Sequence, residues 1–377
     1  MAGRSRMLGR SRALLAAAAF LMAGCASSEQ VGAGSWAHYG GDLAGTRFAA
    51  AHDLSPQRIA DLAPAWTFRT GDVSDGTGHF GKRSTFKATP ILFEGRLYTV
   101  SGFGRIHALA PDTGALLWRF DPEINFALNY AEMFTARGVA AWRDSAAATD
   151  APCAARILMG TLDARLIAVD AATGQRCADF GAGGQVDLSV GVARYRRGQY
   201  SVTSPPLVLG DLVVVGSSIG DNGAASLEPG MVRAYDARSG ALRWTWHVAP
   251  QSSADPNWTS WASGSASRAG GGNVWSMLSA DAERNLIFAP TTSPSPDFFG
   301  GLRPGDNRAA NSVVALDVAT GRLVWQFQTV RHDLWDYDNA SQPWLVDIRR
   351  DGKTIPALVL PTKVGHVFIL DRTTGEP

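Results

Sequence analysis

The stretch that decides the fold is ALDVATGRLVW at residues 315–325. It reads as the end of one strand, a turn of the form Asp-x-x-Thr-Gly, and a second strand that carries a tryptophan. The Asp and Thr side chains can bind backbone N–H groups of the turn, and the glycine supplies the positive φ that the turn needs. The stretch therefore predicts two antiparallel strands joined by a tight turn.

The same signature recurs along the 377-residue chain. Its turn glycines are Gly114, Gly174, Gly240, Gly321 and Gly375. They are separated by 60, 66, 81 and 54 residues, and each interval contains further β-rich runs, so each repeat has room for four strands. A four-stranded unit repeated at this period predicts an all-β fold of the β-propeller type instead of a sandwich. Where a tryptophan follows the turn, we expect it to fill the space between neighbouring sheets.

The two ends of the repeat region predict where the first blade begins and whether the ring closes. Trp66-Thr67-Phe68 reads as the first strand of a blade. After the last signature only Glu376 and Pro377 follow, before any tryptophan strand. We therefore expect a ring that is incomplete after about five to six blades, with exposed sheet edges.

The first 25 residues are predicted to be a secretory signal. Four arginines up to Arg12 precede an apolar run over residues 14–23, which is too short to span a membrane. The run leads into LMAGC at residues 21–25, which resembles a bacterial lipoprotein box with Cys25 as the lipid-bearing terminus. Ordinary cleavage near the same site is the alternative. Residues 26–377 would then form a propeller domain that is exported to the periplasm and tethered to the membrane.

Charge and cysteine content narrow the class of protein. The formal net charge is only +1, which indicates no nucleic-acid-binding face. Cys153 and Cys177 flank two predicted strands, and an oxidising compartment favours a disulfide between them. Two buried free thiols are the alternative. No Cys-x-x-Cys-His motif occurs, so the chain carries no c-type haem.

The richest concentration of reactive side chains is RHDLWDYD at residues 331–338. Three carboxylates, a histidine and two large aromatic side chains fall within these eight residues. A carboxylate walled by aromatic rings is partly desolvated, so its basicity is raised, or a bound cation holds it ionised. Lys363 follows at the end of a predicted apolar strand. The alternative interpretation is a solvated acidic turn between two sheets.

These motifs together resemble the pyrroloquinoline-quinone (PQQ)-dependent dehydrogenases, which form an eight-bladed propeller. The most specific motifs are VRHDLWD at residues 330–336 and PTK at residues 361–363, supported by GGNVW at 271–275 and RPGDN at 303–307. The likeness runs from about Trp36 to the last residue and is closest to the membrane-bound glucose dehydrogenase and quinate dehydrogenase branch. A non-catalytic β-propeller lipoprotein scaffold of the outer membrane is the alternative, since it would share the turns and the tryptophans.

The resemblance implies roles for individual residues around the cofactor. Asp336 would be the general base that takes the alcohol proton, and Lys363 would bind the quinone oxygens and favour their negative charge. Trp275 would be the aromatic floor on which the flat cofactor stacks. Arg137 would pair with one of the cofactor carboxylates. The hydroxyls that the resemblance places beside the cofactor belong to Thr203 and Ser218.

The resemblance also implies a Ca²⁺ ion, or Mg²⁺, beside the quinone, held by hard oxygen ligands. The residues placed there are Asp221, Asn222, Asp336 and either Thr292 or Ser293. The metal would polarise the reactive quinone carbonyl and help to fix Asp336.

Departures from the family pattern put glucose itself in doubt as the substrate. Ala131-Glu132 replaces the adjacent cysteine pair of alcohol-oxidising relatives, Lys87 replaces a carboxylate, and Phe103 replaces a histidine near the cofactor. The expected substrate is therefore a sugar, polyol or other alcohol. Electrons would pass to a membrane quinone such as ubiquinone or to a separate c-type cytochrome.

Overall fold

The computed structural model describes residues 36–49, 54–77 and 81–377. The predicted signal peptide and Cys25 lie outside these ranges. Within them the chain is built almost entirely from antiparallel strands, which confirms the all-β prediction. The helices are short: α1 (Pro56–Ile59) and the 3₁₀ helices Trp258–Ser260, Ala262–Ser267 and Gly300–Leu302. None of the helices in the described ranges is long and apolar enough to cross a bilayer.

In the described ranges, five sheets of three or four strands follow one another along the chain, and the strands of the first two pair in sequence order. The first sheet consists of β1 (Ile91–Phe93), β2 (Arg96–Val100), β3 (Ile106–Leu109) and β4 (Leu116–Phe120). The second sheet consists of β5 (Ala140–Arg143), β6 (Ala155–Gly160), β7 (Arg165–Asp170) and β8 (Gln185–Asp187).

The third repeat contains one additional strand pair. Its strands are β9 (Tyr200–Ser201), β10 (Leu207–Leu209), β11 (Leu212–Val215), β12 (Ser218–Ile219), β13 (Met231–Asp236) and β14 (Leu242–His247). Strands β10, β11, β13 and β14 form the third four-stranded sheet, while β9 pairs with β12. The β9–β12 pair holds Ser218 at a fixed position beside the third sheet.

The last two sheets continue the same order. The fourth consists of β15 (Ser279–Asp281), β16 (Leu286–Pro290), β17 (Ser312–Asp317) and β18 (Leu323–Gln328). The fifth has three strands, β19 (Trp344–Arg350), β20 (Lys353–Pro361) and β21 (Val367–Asp371). The four-stranded repeat predicted from the glycine spacing is therefore present in four consecutive sheets.

The recurring turn has the predicted geometry. All five turn glycines have positive φ, between 68° and 79°. In the turn between β17 and β18, the Gly321 N–H donates to the Asp317 carbonyl at 2.8 Å. Oδ1 of Asp317 accepts from the Thr320 N–H at 2.9 Å and from its hydroxyl at 2.6 Å. The Asp, Thr and Gly of the signature thus each satisfy a separate demand of the turn.

The tryptophans join consecutive sheets, as expected. The Trp118 indole Nε1 of the first sheet donates to the Ala171 carbonyl of the second at 3.1 Å. The Trp118 ring lies so close to Gly174 that a Cβ there would fall 2.6 Å from Cε3. Equivalent packing joins Trp66 to Gly114, Trp244 to Gly321 and Trp325 to Gly375. Gly240 instead faces Gly181 and Val186, because no tryptophan follows the turn of the second sheet.

The prediction of a strand at residues 66–68 was wrong. This segment belongs to no sheet of the described chain, because its backbone pairs with none of the described strands. Trp66 nevertheless makes the inter-sheet contact, and its Nε1 donates to the Pro111 carbonyl at 2.9 Å. Cys153 and Cys177 are joined in a disulfide with a Cα–Cα distance of 5.7 Å, so the alternative of two free thiols does not hold.

The strand order determines where the predicted site residues meet. In an antiparallel sheet, the connection between the second and third strands leaves from the same end as the connection to the next sheet. Neighbouring connections of these two kinds bond to each other: Ser217 N–H to Val274 O at 2.8 Å, and Thr292 N–H to Asn273 O at 3.0 Å. The Asp-x-x-Thr-Gly turns lie at the opposite ends of the strands. The candidate site residues therefore lie on one face, formed by these connections.

Candidate active site

All of the predicted site residues lie in or beside the connections on this face. Arg137, Thr203, Trp275 and Asp336 precede the first strand of a sheet, whereas the others follow a second strand: Ser218, Asp221, Asn222, Thr292, Ser293 and Lys363. Residues that are far apart in the chain are thereby brought close together.

Lys363 joins two carboxylates of the 331–338 segment. Its Nζ lies 2.9 Å from the Asp336 carbonyl, 3.3 Å from Asp336 Oδ1 and 3.3 Å from Asp338 Oδ2. Burial alone would lower the pKa of Lys363, but the charges of Asp338 and Asp336 outweigh it and the pKa is raised. Lys363 is therefore held as a cation between Asp336 and Asp338.

Asp336 has an unusual backbone conformation. Its φ is 58°, in the left-handed region that non-glycine residues rarely adopt. Its side chain is one-third exposed, whereas that of Asp338 is 11% exposed. The turn thus presents the Asp336 carboxylate to solvent and to Lys363, which is the access that a base acting on a substrate hydroxyl requires.

Asp338 is the hub of the network, although no sequence motif assigns it a role. Its Oδ2 accepts from Trp275 Nε1 at 2.8 Å, and its Oδ1 accepts from the Ser293 N–H at 2.9 Å. Burial raises the pKa of Asp338 to about 6, with Lys363 opposing the rise and Asp336 adding to it. Only its two-residue spacing from Asp336 could have signalled its position beside the proposed base.

Asp333 is structural. It is 1% exposed, and its carboxylate accepts from the Trp335 N–H at 3.0 Å and the Tyr337 N–H at 2.7 Å. The Ser293 hydroxyl and the Asn311 amide also bind it. These bonds hold the 331–338 turn in shape, so the three carboxylates of that segment occupy different environments.

Trp275 carries a cation over its ring. The Arg137 guanidinium carbon lies 4.8 Å from the ring centroid, and Arg137 also donates to the Thr203 hydroxyl. Burial lowers the pKa of Arg137. Within the described ranges, no carboxylate lies within 4 Å of this guanidinium. A partly buried guanidinium without a direct counter-charge, beside a large aromatic ring, fits an anionic planar ligand.

The remaining hydroxyls have protein partners. Ser218 Oγ donates to Glu132 Oε1 at 2.7 Å. Thr292 Oγ1 donates to the Asn273 carbonyl at 2.9 Å, and Ser293 Oγ donates to Asp333. Ser293 therefore orients two aspartates, Asp338 through its backbone and Asp333 through its hydroxyl.

Asp221 belongs to the carboxylate network, whereas Asn222 is exposed and takes part in none of its interactions described here. Burial raises the pKa of Asp221 to about 7, and the charges of Asp338, Glu132 and Asp336 add to the rise. The structure thus brings only the first residue of the Asp221-Asn222 pair into the cluster.

Asp297 is a further carboxylate that the sequence analysis missed. It is 2% exposed, and its Oδ1 has no hydrogen-bond partner within the described residues. Burial raises the pKa of Asp297 to about 9, with contributions from Asp221, Asp338 and Asp336. No local pattern marks it, because it follows Ser-Pro-Ser-Pro in a connection without regular structure.

The four aspartates 221, 297, 336 and 338, here called the carboxylate cluster, repel one another when ionised. A multivalent cation bound among them would relieve this repulsion, and carboxylate oxygens are the ligands that Ca²⁺ and Mg²⁺ prefer. Within the described residues, however, no three of these carboxylates bring one oxygen each within 4.8 Å of one another, so a hard cation would have to draw them closer together. Trp275 and Arg137 beside them fit a flat polycarboxylate as they stand.

Exposed apolar side chains surround this region. Trp335 is 70% exposed and Leu334 is 41% exposed. Leu334 Cδ2 lies against the backbone of Gly300, where a Cβ would approach it to 2.7 Å. The apolar rim, as we call it, comprises Phe298, Phe299, Leu302, Leu334 and Trp335. Clustered exposed apolar residues of this kind mark a contact surface.

Comparison with known proteins identifies the family of this chain. Residues 36–377 match the family model described as "PQQ: Glucose/ethanol/alcohol dehydrogenase, beta-propeller domain". The chain is 37% identical to quinate/shikimate dehydrogenase (quinone) of Acinetobacter baylyi, covering 91% of this chain and 43% of that protein. It is 36% identical to quinoprotein glucose dehydrogenase A of Acinetobacter calcoaceticus, with the same coverages.

A solved structure shows the same fold. The quinohemoprotein alcohol dehydrogenase of Comamonas testosteroni superposes with a TM-score of 0.75 and 28% sequence identity, over 91% of this chain and 48% of that one. The chain spans about half the length of the relatives that it matches.

Proposed function

Because the chain belongs to the PQQ-dependent glucose/ethanol/alcohol dehydrogenase family, we propose that it oxidises an alcohol, sugar or polyol with PQQ as the electron acceptor in its site. One observation carries the proposal. Lys363 touches Asp336 and Asp338, and Asp338 accepts from the indole of Trp275. A proposed base, a cation and an aromatic floor are thus parts of one bonded network.

Asp336 is the residue proposed to take the substrate hydroxyl proton. Its carboxylate is accessible and is held by Lys363 at 3.3 Å. A positioned base of this kind contributes about 10²- to 10⁴-fold to a proton-transfer step. PQQ, when bound, would supply the quinone that accepts the two electrons.

The same face supplies the proposed binding groups. The Trp275 ring offers a stacking surface, and Arg137 offers a guanidinium to a cofactor carboxylate. Thr203 already binds Arg137, so its role is to orient that side chain toward the cofactor. Ser218 lies on the same face, with its hydroxyl bound to Glu132.

The carboxylate cluster is proposed to hold Ca²⁺, with Mg²⁺ as the alternative. Asp221 and Asp336 are the ligands that the sequence analysis and the cluster have in common. Asn222 and Ser293 were also assigned to the metal, but Ser293 Oγ is bound to Asp333 and Asn222 is exposed. Ca²⁺, when bound, would polarise an adjacent quinone oxygen.

The proposed cellular location and the proposed electron acceptor rest on the disulfide, on the exposed apolar side chains and on the sequence. The disulfide between Cys153 and Cys177 supports export to an oxidising compartment such as the periplasm, and a lipid anchor at Cys25 rests on the sequence alone. The apolar rim near Asp336 supports docking of ubiquinone or of a c-type cytochrome.

A non-catalytic lipoprotein scaffold is the rival interpretation. Such a protein needs the inter-sheet tryptophans, but it has no use for mutually repelling carboxylates within one site. Buried charges without partners reduce stability, so their retention favours a ligand-binding role.

The test is reconstitution of the purified chain with PQQ and CaCl₂, followed by dye reduction across a panel of alcohols, sugars and cyclic polyols. Asp336→Asn should lower the rate about 100-fold or more. Asp306→Asn, which removes an exposed carboxylate outside the cluster, should leave it unchanged. Absence of PQQ-dependent turnover and of any PQQ-dependent rise in melting temperature would contradict the proposal.

A further inference from the structure

The loop over residues 220–230 carries Asp221 and joins β12 to β13 without forming a helix or strand. A short segment that precedes β9 holds its first end. The Gly220 N–H donates to the Gln199 carbonyl at 2.9 Å, and the Gly220 carbonyl accepts from Arg196 Nη2 at 3.2 Å. The residue immediately before Asp221 is thus bound on both sides of its backbone.

Arg196 also holds the other end of this loop, through Glu228. Its guanidinium donates to both carboxylate oxygens, from Nε to Oε1 at 3.1 Å and from Nη2 to Oε2 at 2.7 Å. Its backbone N–H donates to Oε1 at 2.7 Å. The Glu228 side chain is fully buried, whereas that of Arg196 is 43% exposed. Because a buried carboxylate is costly unless charged groups bind it, the pair fixes the two ends of the loop to each other.

The Glu228 end of the loop is bonded to the segment that leads to Trp275. The Glu228 carbonyl accepts from the Gly271 N–H at 3.1 Å, and the Gly230 N–H donates to the Gly271 carbonyl at 2.9 Å. Gly271 lies only four residues before Trp275. Through Glu228, Arg196 therefore joins the connection that carries Asp221 to the connection that carries Trp275.

We propose that Arg196 is a positioning residue of the site: it fixes the loop 220–230, and with it Asp221, relative to Trp275. The inference rests on the proposed function for the identity of the cofactor. Arg196 acts through Glu228 and Gly220. Site residues must be held close to their working geometry by the side chains that support them, so loosening this loop should weaken cofactor binding.

Hydrogen exchange of the cofactor-free chain, measured by mass spectrometry, tests the fixation of the loop. In Arg196→Met, the amides of residues 217–222 should exchange about tenfold faster or more, because hydrogen bonds between charged groups are lost. Arg243→Met is the matched control. Arg243 also pairs with a buried carboxylate, that of Asp236, but beside an Asp-x-x-Ser-Gly turn at the opposite ends of the strands. The control should leave exchange of residues 217–222 unchanged.

Cofactor affinity is the second readout. Equilibrium titration with PQQ should give a dissociation constant about tenfold higher in Arg196→Met and an unchanged one in Arg243→Met. Arg196→Lys keeps a positive charge beside Glu228, but a compact ammonium does not reproduce the fork of N–H groups that also reaches the Gly220 carbonyl. Its effects on exchange and on affinity should be intermediate, and it replaces Arg196→Met if that variant does not fold.

Three results would overturn the inference: unchanged exchange of residues 217–222, exchange that is faster to the same degree throughout the chain, or unchanged PQQ affinity despite faster exchange of the loop. Failure here is distinct from failure of the proposed function. If the unsubstituted chain does not bind PQQ, the proposed function fails, whereas the exchange measurement still decides whether Arg196 holds the loop.

Discussion

The indole Nε1 of Trp275 donates a 2.8 Å hydrogen bond to Oδ2 of Asp338, the same oxygen that Lys363 approaches to 3.3 Å. The proposed floor of the cofactor site is therefore rigidly connected to the carboxylate that lies beside the proposed base. Neither the ring nor the carboxylate can move without disturbing the other.

Trp275→Phe should separate stacking from this hydrogen bond. Phe retains an aromatic face but has no N–H donor. The hydrogen bond from Trp275 lowers the pKa of Asp338, so its loss should raise that pKa above the value of about 6. Losing a hydrogen bond to a charged group should lower the free energy of unfolding by about 1.5–3 kcal/mol at pH 8. Urea unfolding measures this, and Trp275→Ala should lose more PQQ affinity than Trp275→Phe. Equal PQQ affinities for the two variants would argue against stacking on this ring.

Lys363→Met should affect both catalysis and its pH dependence. Removing the ammonium takes away the charge that lowers the pKa of Asp338, so the acid limb of the pH–rate profile should move to higher pH. The rate should fall about 10²- to 10³-fold through loss of charge stabilisation. Lys363→Arg keeps the charge and should retain the position of the acid limb. An unshifted limb in Lys363→Met would show that this contact does not control ionisation of the site.

Stability without metal should decline as the pH rises from about 6.5 to 9. The pKa values of Asp221 and Asp297 are raised by burial to about 7 and about 9, so the folded chain binds more protons than the unfolded chain in this range. The contribution of each group to the free energy of unfolding is fully present below the ordinary aspartate pKa of 3.8 and is lost as the pH rises through the raised value. The lowered pKa values of the buried His107 and His247 act in the opposite sense, but only up to the ordinary value of 6.5.

Thermal unfolding in EDTA across this pH range tests the prediction, and a parallel series in millimolar CaCl₂ is the control. Added Ca²⁺ should flatten the decline, because the cation replaces the protons. A flat profile in EDTA would contradict the assignment of these two carboxyl groups.

Gly174→Ala should destabilise the contact between the first two sheets. Gly174 has a φ of 74°, and its Cβ would fall 2.6 Å from the Trp118 ring. Gly352→Ala is the matched control, since its φ is 76° and a Cβ there meets nothing within 4 Å. The control should show only the backbone penalty of about 1 kcal/mol, and Gly174→Ala should lose about 2–4 kcal/mol in urea unfolding. Equal losses of unfolding free energy in the two variants would mean that the Trp118 indole moves aside at little cost.

Trp335→Ala tests the apolar rim as the acceptor surface. Trp335 is 70% exposed and makes few folded-state contacts, so the fold should tolerate the change. Turnover with a ubiquinone analogue should fall several-fold to about tenfold, because large aromatic side chains contribute most to binding surfaces. Turnover with a small soluble dye should stay the same. A parallel fall with both acceptors would place Trp335 in substrate binding instead.

The sequence was sufficient to predict those elements whose hydrogen bonds form between residues close together in the chain. The Asp317–Thr320–Gly321 turn could be predicted because the bonds that it makes lie within five residues of chain. The strand predicted at Trp66–Phe68 failed because a strand exists only beside a partner, and its own composition does not contain that information.

The sequence by itself determined the repeat and its turns, and through family resemblance it predicted roles for Trp275, Asp336 and Lys363. Only the tertiary structure decided which further carboxylates join them. In the sequence, Asp338 and Asp297 look like ordinary aspartates. They differ from the others because they are buried near carboxylates that are distant in the chain; Asp338 and Asp221, for example, are 117 residues apart. Electrostatic interaction depends on distance through space and on exclusion of water. Both are set by the packing of connections from different sheets, which no local pattern records.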